Sequence, residues 1–334
     1  MSKAMHFHLK IPPGLGKSFW VAAFIIIGVE LALHNESIVH RYRSVFAVGR
    51  AIDKLHYVEQ HPPHLLFIGN SRVDNAIDAL SINHILMQPS TYSFNLGLPG
   101  ANLLIYHGII KRISAQGLLG PQGINTVILG LDESAFQEEN SLGYISFLAH
   151  RTTLWNSGRY QDWLGSYLRL WSYCANLRQL QEPDKILKFI EASINSIDPI
   201  GGAAATYQGY RAGFGATQNE AQVVRQEGSA QQPPSPNVET YLWRTIDLLQ
   251  SRDVRILVTI LPLRDRSSAF FDTSQTALPY RILLARLQQR GVTILSTATN
   301  YSSSEFINAG HLNNQGAQHF SADLGHQLTT LGIQ

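Results

Sequence analysis

Short apolar runs alternate with stretches whose apolar residues recur every three to four positions through most of this chain. Apolar runs bounded by turn residues predict strands, and the three-to-four spacing predicts helices. On that basis 64–68, 91–95, 126–130, 255–261 and 292–295 are expected as strands. Residues 77–86, 103–114, 238–250, 278–289 and 314–331 are expected as helices. Strands that alternate with helices pair in parallel through right-handed crossovers. The expected fold is therefore α/β: a three-layer α/β/α sandwich on a mainly parallel five-stranded sheet, with a helical and loop insertion.

Two stretches break the alternation. From Phe19 to Leu33 the chain is apolar apart from Glu30, and a helix of that length reaches about 22 Å, short of the ~30 Å hydrocarbon core. A span from Ile11 to Leu33 becomes long enough if Lys17 lays its stem along lipid. Lys3, Lys10 and Lys17 precede the segment, which places the N-terminus in the cytoplasm and the bulk of the chain outside. Residues 1–17 are thus expected as a cytoplasmic tail and 18–34 as an uncleaved transmembrane anchor. A cleaved signal peptide is the rival, but Ala32-Leu33-His34 makes a poor cleavage site. A buried amphipathic helix is the third reading. Glu30, near the outer end, is expected among headgroups or against a membrane partner.

The second break runs from 137 to 237. Trp163, Tyr167, Trp171, Cys174 and Leu177 recur at near-helical spacing in its first half. That half reads as a lid, a face for membrane or partner, or a self-packing helical insertion. In its second half, Gly201 to Ala205 leads through Tyr207, Tyr210 and Phe214 into Gln231 to Pro236. So little apolar content predicts a mobile loop or linker. Its tyrosines and Phe214, interleaved with Gly209, Gly213 and Gly215, can stack on sugar rings if the loop covers a site.

Charge narrows the partners. A net charge of +2 over 334 residues, with no long basic run, argues against nucleic acid. One cysteine, Cys174, excludes an internal disulfide and a cysteine-based zinc site. His6 and His8 read as incidental, His61 and His64 as loop histidines without a third ligand, and His319 as structural. Arg264, Asp265 and Arg266 follow the fourth strand, as a solvated loop or a contact for an anionic substrate. No cofactor is called for.

The chemistry concentrates at two points. Leu65 to Ile68 runs into Gly69-Asn70-Ser71-Arg72, which exposes a serine hydroxyl at the carboxyl edge of a strand, where α/β sheets bind ligands. Far along the chain, His311 stands just ahead of the last helix, at the same edge. Serine gains reactivity only when an oriented base takes its proton.

Four landmarks in order resemble the SGNH (GDSL-like) hydrolase superfamily, whose fold is flavodoxin-like, and in particular its membrane-anchored bacterial branch linked to polysaccharide O-acetylation. They are Gly69-Asn70-Ser71-Arg72, Asn95-Leu96-Gly97-Leu98-Pro99-Gly100, Gly130-Leu131-Asp132 and Asn308-Ala309-Gly310-His311. The resemblance covers roughly 60–136 and 238–334 as a catalytic domain and leaves the insertion unmatched. It implies Ser71 as nucleophile, His311 as base and the Gly97 N–H as part of the oxyanion hole.

Two positions depart from the family's pattern. Asn308 stands where a carboxylate normally orients the histidine. An amide carbonyl can hold a ring nitrogen but brings no charge, and in serine proteases the equivalent loss costs roughly four orders of magnitude. Some family members manage with a backbone carbonyl, and Glu305 is a candidate substitute if it does not face solvent. Asp132 stands where the family places an amide donor, and an acceptor there repels developing negative charge. It is expected to turn away and pair with Arg72 or another cation, leaving the N–H groups of Ser71 and Gly97 as the hole.

Three functions follow as expectations. The first is an acyltransferase that forms a Ser71 acyl-enzyme and passes acetyl to hydroxyls of an exported polysaccharide, supplied by a membrane-bound O-acyltransferase or a polysaccharide synthase complex. The second is a periplasmic carbohydrate esterase. The third is a catalytically weak accessory or scaffolding protein, favoured by Asn308 and Asp132. All three place the main domain on the outer side of a bacterial inner membrane, held by the single N-terminal helix.

Overall fold

A computed structural model describes residues 16–46, 48–138, 144–196, 199–211, 232–264, 268–295 and 301–333. Most of the tail, with His6 and His8, lies outside them, as do Phe214, Asp265 and Arg266. Before the sheet come α1 (Lys17–Leu33), α2 (Glu36–Arg41) and α3 (Val48–Gln60). The sheet is built from β1 (Leu65–Gly69), β2 (Ser93–Gly97), β3 (Thr126–Leu131), β4 (Arg255–Ile260) and β5 (Thr293–Leu295). Its order is β2-β1-β3-β4-β5 and every pairing is parallel, with Gly69 opposite Gly97.

Side chains on a strand alternate between faces, and here each face feeds its own core. Leu66, Ile68, Val127, Leu129 and Val258 join α3 and α6 (Leu103–Ala115) on one side. Leu65, Phe67, Ile128 and Leu257 meet α4 (Ser71–Ala76) and α5 (Ala79–Ile85) on the other. The expected helix over 77–86 is α5, and a separate helix, α4, precedes it, because Asn70 and Asp78 each cap a new start with their side chains. Sequence pattern missed α3, whose Ile52, Leu55 and Val58 are fully buried; the buried charges Asp53 and Lys54 interrupt its apolar face. The core therefore reaches back beyond residue 60.

Between β3 and β4 the insertion forms α7 (Tyr144–Leu148), α8 (Arg151–Asn156), α9 (Tyr160–Gly165), α10 (Arg169–Ser172), α11 (Cys174–Arg178), α12 (Pro183–Ile194) and α13 (Gly202–Thr206). The near-helical spacing of Trp163 to Leu177 is therefore divided among three short helices. The part of the second half that is described is no loose loop. Asp53 accepts from the N–H groups of Gly201 (2.6 Å) and Ala204 (3.1 Å), which docks α13 on α3. The Gln208 carbonyl then accepts from the Asn95 N–H at 2.9 Å, fastening the segment to the edge strand β2. Composition hid this because the partners of the segment, Asp53 and Asn95, lie over a hundred residues earlier.

The chain closes with α14 (Pro236–Gln250), α15 (Leu278–Gln289) and α16 (Asn314–Thr330); α14 and α15 pack on the α3 side and α16 on the α4 side. Among the described residues no helix is long and apolar enough to cross a membrane. The 17 residues of α1 reach about 25 Å. It is apolar on all sides and exposed along most of its length, and Leu33 alone is buried. Glu30 finds partners within the chain. Its carboxylate accepts from the N–H groups of Arg169 (2.6 Å) and Leu170 (2.8 Å) and so caps α10 of the insertion.

Candidate active site

Ser71 owes its position to the turn in front of it. β1 ends at Gly69, Asn70 remains extended, and its side-chain oxygen accepts from the Arg72 N–H at 2.9 Å. That cap starts α4 at Ser71, at the carboxyl edge of the sheet. Val73 lies so close to Gly69 and Gly130 that a Cβ on either would collide with it, so both strand ends need glycine for α4 to settle there.

His311 comes from the loop between β5 and α16. A short antiparallel bridge pairs Phe306 with Leu312 and closes the loop on itself. Inside it, Asn308 Oδ1 accepts from the N–H groups of Gly310 (3.1 Å) and His311 (3.0 Å). The same oxygen lies 3.0 Å from His311 Nδ1. Two backbone donors fix which end of the amide faces the ring, because an NH₂ there would meet two other N–H groups. An oxygen at that point requires the proton on Nδ1 and leaves Nε2 with a free lone pair. Nε2 stands 2.8 Å from Ser71 Oγ. The correct tautomer is thus set without a carboxylate. Burial, reinforced by the nearby Arg72 guanidinium, pushes the imidazole from its ordinary 6.5 down to about 4, only partly opposed by Asp132 and Asp74. The base is neutral near pH 7, while the imidazolium it forms on taking a proton is poorly supported.

The opposite side of the serine is closed on itself. Asp132 is fully buried. Its Oδ1 accepts from Ser134 N–H (2.7 Å), Ser134 Oγ (2.6 Å) and Ala135 N–H (3.2 Å), and its Oδ2 from Asn70 Nδ2 (2.7 Å). Arg72 Nε lies 3.6 Å from Oδ2, and the guanidinium packs against Gly310. Burial alone would raise the carboxyl; Arg72 and these hydrogen bonds outweigh it and hold Asp132 below its usual range. Asn70 Nδ2 also reaches Ser134 Oγ at 3.0 Å. The Gly97 N–H is occupied too, donating to Asn95 Oδ1 at 2.8 Å. The N–H that the resemblance assigns to the oxyanion hole thus donates to the asparagine two residues before it in the same motif. The Ser71 N–H is left, with no hydrogen-bond partner among the described residues.

Several residues around the site carry no motif signal. Asp74, one helical turn beyond Ser71, is fully buried and meets Arg50 and Lys54, each at 2.7 Å. Lys54 also donates to the Gly97 carbonyl at 2.7 Å, so one buried ion pair ties the end of β2 to α4. Burial lowers Lys54 to about 8 although Asp74 pulls the other way. The Arg211 N–H donates to the Asp74 carbonyl (3.0 Å), and Tyr210 Oη to Asn314 Oδ1 (3.3 Å), so the insertion also borders the site. The signal for Asp74 was its i+3 spacing from Ser71; nothing local marked Lys54 or Arg211.

The other candidates separate from this cluster. Glu305 is buried rather than solvent-facing. It closes a capping box with Ser302 and pairs with His319 at 2.8 Å, so it does not orient His311. Arg264 reaches the His311 loop through its backbone N–H, bonded to the Ala309 carbonyl at 3.0 Å. His61 and His64 line a cleft of about 700 Å³ with Tyr92 and Asn125, at the amino edge of the sheet. Among the described residues no group of three or more histidine, cysteine or acidic side chains is placed to hold a metal.

No protein-family model matches the chain, and no curated protein does. Among solved structures it is similar to a possible lipase from Chitinophaga pinensis DSM 2588, at 10% identity and a TM-score of 0.36, over 81% of this chain and 99% of that one. At that score the similarity carries no argument about activity, and the chemistry has to come from the site.

Proposed function

We propose that this protein is a membrane-anchored serine acyltransferase of the SGNH type. The observation that carries the proposal is the relay Ser71 Oγ–His311 Nε2 (2.8 Å) and His311 Nδ1–Asn308 Oδ1 (3.0 Å). His311 Nε2 takes the Ser71 proton as Oγ attacks the acyl carbonyl, and the oxyanion that forms meets the Ser71 N–H. Collapse expels the donor's leaving group, which carries away the proton from Nε2, and leaves an ester on Ser71. An acceptor hydroxyl then gives its proton to Nε2, attacks the ester and releases the acylated product, and the proton returns to Oγ. The acceptor as a sugar hydroxyl of an exported polysaccharide, the acetyl group, and delivery by a membrane-bound acyltransferase come from the sequence resemblance. The exposed apolar α1 supports membrane anchoring, while the outer side of a bacterial inner membrane comes from the lysines ahead of it and the resemblance. Water as acceptor would make the same machinery a carbohydrate esterase.

The closed oxyanion side favours a second reading, an accessory protein with little turnover of its own. Intact-mass analysis of the full chain in detergent, after exposure to a serine-directed phosphonate, separates the two. A stoichiometric adduct that vanishes in Ser71→Ala supports the acyl-enzyme. No adduct on the folded chain refutes it and leaves the accessory role.

A further inference from the structure

The anchor has a consequence for the insertion. Glu30 lies within one turn of the end of α1 and is hydrogen-bonded to the backbone of Arg169 and Leu170. His34, just beyond the helix, has its Nε2 3.1 Å from the Tyr167 carbonyl. Groups in hydrogen-bond contact with the outer end of an inserted helix share its depth, so residues 167–170 stand at the level where that helix leaves the hydrocarbon.

The side chains at this level have the chemistry of that layer. Tyr167 and Leu168 are each 45% exposed and Trp171 is 58% exposed. Trp155 and Tyr160 continue the same surface, joined to Tyr167 through Trp163 by a chain of edge-to-face ring contacts 4.9–5.3 Å apart. Arg151 stacks on the Tyr167 ring at 4.0 Å, so a cation borders the aromatic face. Tryptophan and tyrosine prefer the membrane–water interface, where the ring is buried and the polar edge stays wet, and arginine suits anionic headgroups. An apolar surface of this kind facing water would be a liability.

We propose that the aromatic ledge of α8–α10 lies in the headgroup layer of the bilayer that holds α1, so that the catalytic domain rests on the membrane at two places instead of swinging from one helix. The proposal rests on the anchoring read for α1. One contact point leaves a domain free to tilt, whereas a second fixes which way its active edge faces. Glu30 is the tie between the two: as the cap of α10 it sets the ledge against the helix end.

Depth-dependent quenching on the full chain tests this. Cys174, the single cysteine, is exposed and is removed as Cys174→Ala. One new cysteine, Leu168→Cys on the ledge or His326→Cys on α16 across the sheet, then carries an environment-sensitive fluorophore. The protein is reconstituted in phosphatidylcholine vesicles containing phosphatidylglycerol, with bromines placed either near the headgroup or near the acyl-chain ends. Alkaline extraction comes first: a chain that washes off refutes the anchor, and the ledge proposal with it. For a chain that stays, the expected result is several-fold stronger quenching at position 168 than at 326, greater with the shallow bromines. Equal quenching at both positions in an anchored chain overturns the ledge alone and leaves a protein partner as its cover.

Discussion

The two sides of Ser71 are built on opposite principles. On the histidine side the bonds to Asn308 serve the relay: Asn308 Oδ1 gathers two backbone N–H groups and Nδ1, and Nε2 is left aimed at the serine. On the oxyanion side every bond serves the fold. The Gly97 N–H goes to Asn95 Oδ1, and Asn70 Nδ2 goes to Asp132 and Ser134, so these donors are consumed before a substrate arrives. Such a site is organised to make a nucleophile and poorly organised to stabilise the charge that follows. Oxyanion donors are commonly worth 10²–10³ each, so a slow enzyme that relies on a reactive donor fits this geometry better than a fast hydrolase.

The comparison breaks most sharply at the nucleophile. Ser71→Ala and His311→Ala should each abolish acylation, a loss on the order of 10⁶ if the pair acts as one unit; phosphonate labelling followed by mass spectrometry reads this. Retained labelling in His311→Ala would mean that another base serves the serine.

Asn308 sharpens the picture at intermediate size. Asn308→Leu keeps the bulk but loses the acceptor that sets the tautomer, and acylation should fall by roughly 10³ or more. Asn308→Asp keeps both backbone bonds and adds the missing charge. It should raise acylation by about tenfold or more and move the acidic limb of the pH–rate profile from near 4 towards the ordinary histidine range. An unchanged limb would show that burial and Arg72, not the absent carboxylate, govern the imidazole.

The oxyanion side predicts costs in stability. Asp132→Ala strands Arg72 and Asn70 and should cost about 3 kcal/mol or more, whereas Asp132→Asn should cost about 1–3 kcal/mol; denaturant midpoints measure both. A stable Asp132→Asn with faster turnover would mean that the carboxylate obstructs catalysis instead of holding the turn. Gly97→Ala pushes a methyl into the backbone nitrogen of Asp74 and should cost about 1–3 kcal/mol.

The smallest effect is on pH-dependent stability. His311 is depressed in the folded protein, so its contribution is fully present above about 6.5 and is lost as pH falls through about 4. His107 is lowered to about 4 by burial and nearby cations and has the same sign, so only the difference between wild type and His311→Gln isolates the site. That difference should shrink steadily across the window.

How much of this was legible follows from where each signal resides. Five strands and the last helix showed in local periodicity, since alternate burial on two faces writes itself into adjacent residues. Ser71 and His311 were legible from their places at strand and loop ends. The hydrogen bond of the Gly97 N–H to Asn95 Oδ1 was not legible, because the motif marks a peptide but not its partner. The segment 199–211 was misjudged for a related reason: it lacks an apolar core of its own and is held by polar groups on α3 and β2.

By itself the sequence determined the α/β alternation, the serine at the end of β1 and the histidine before α16, because backbone preference and hydrophobic period act between near neighbours. Tertiary structure alone decided which end of the Asn308 amide faces the ring, which N–H groups remain open beside Ser71, and that Glu30 binds the insertion. Those outcomes depend on polar groups from distant segments competing for the same partner, and that competition has no result until the chain is packed.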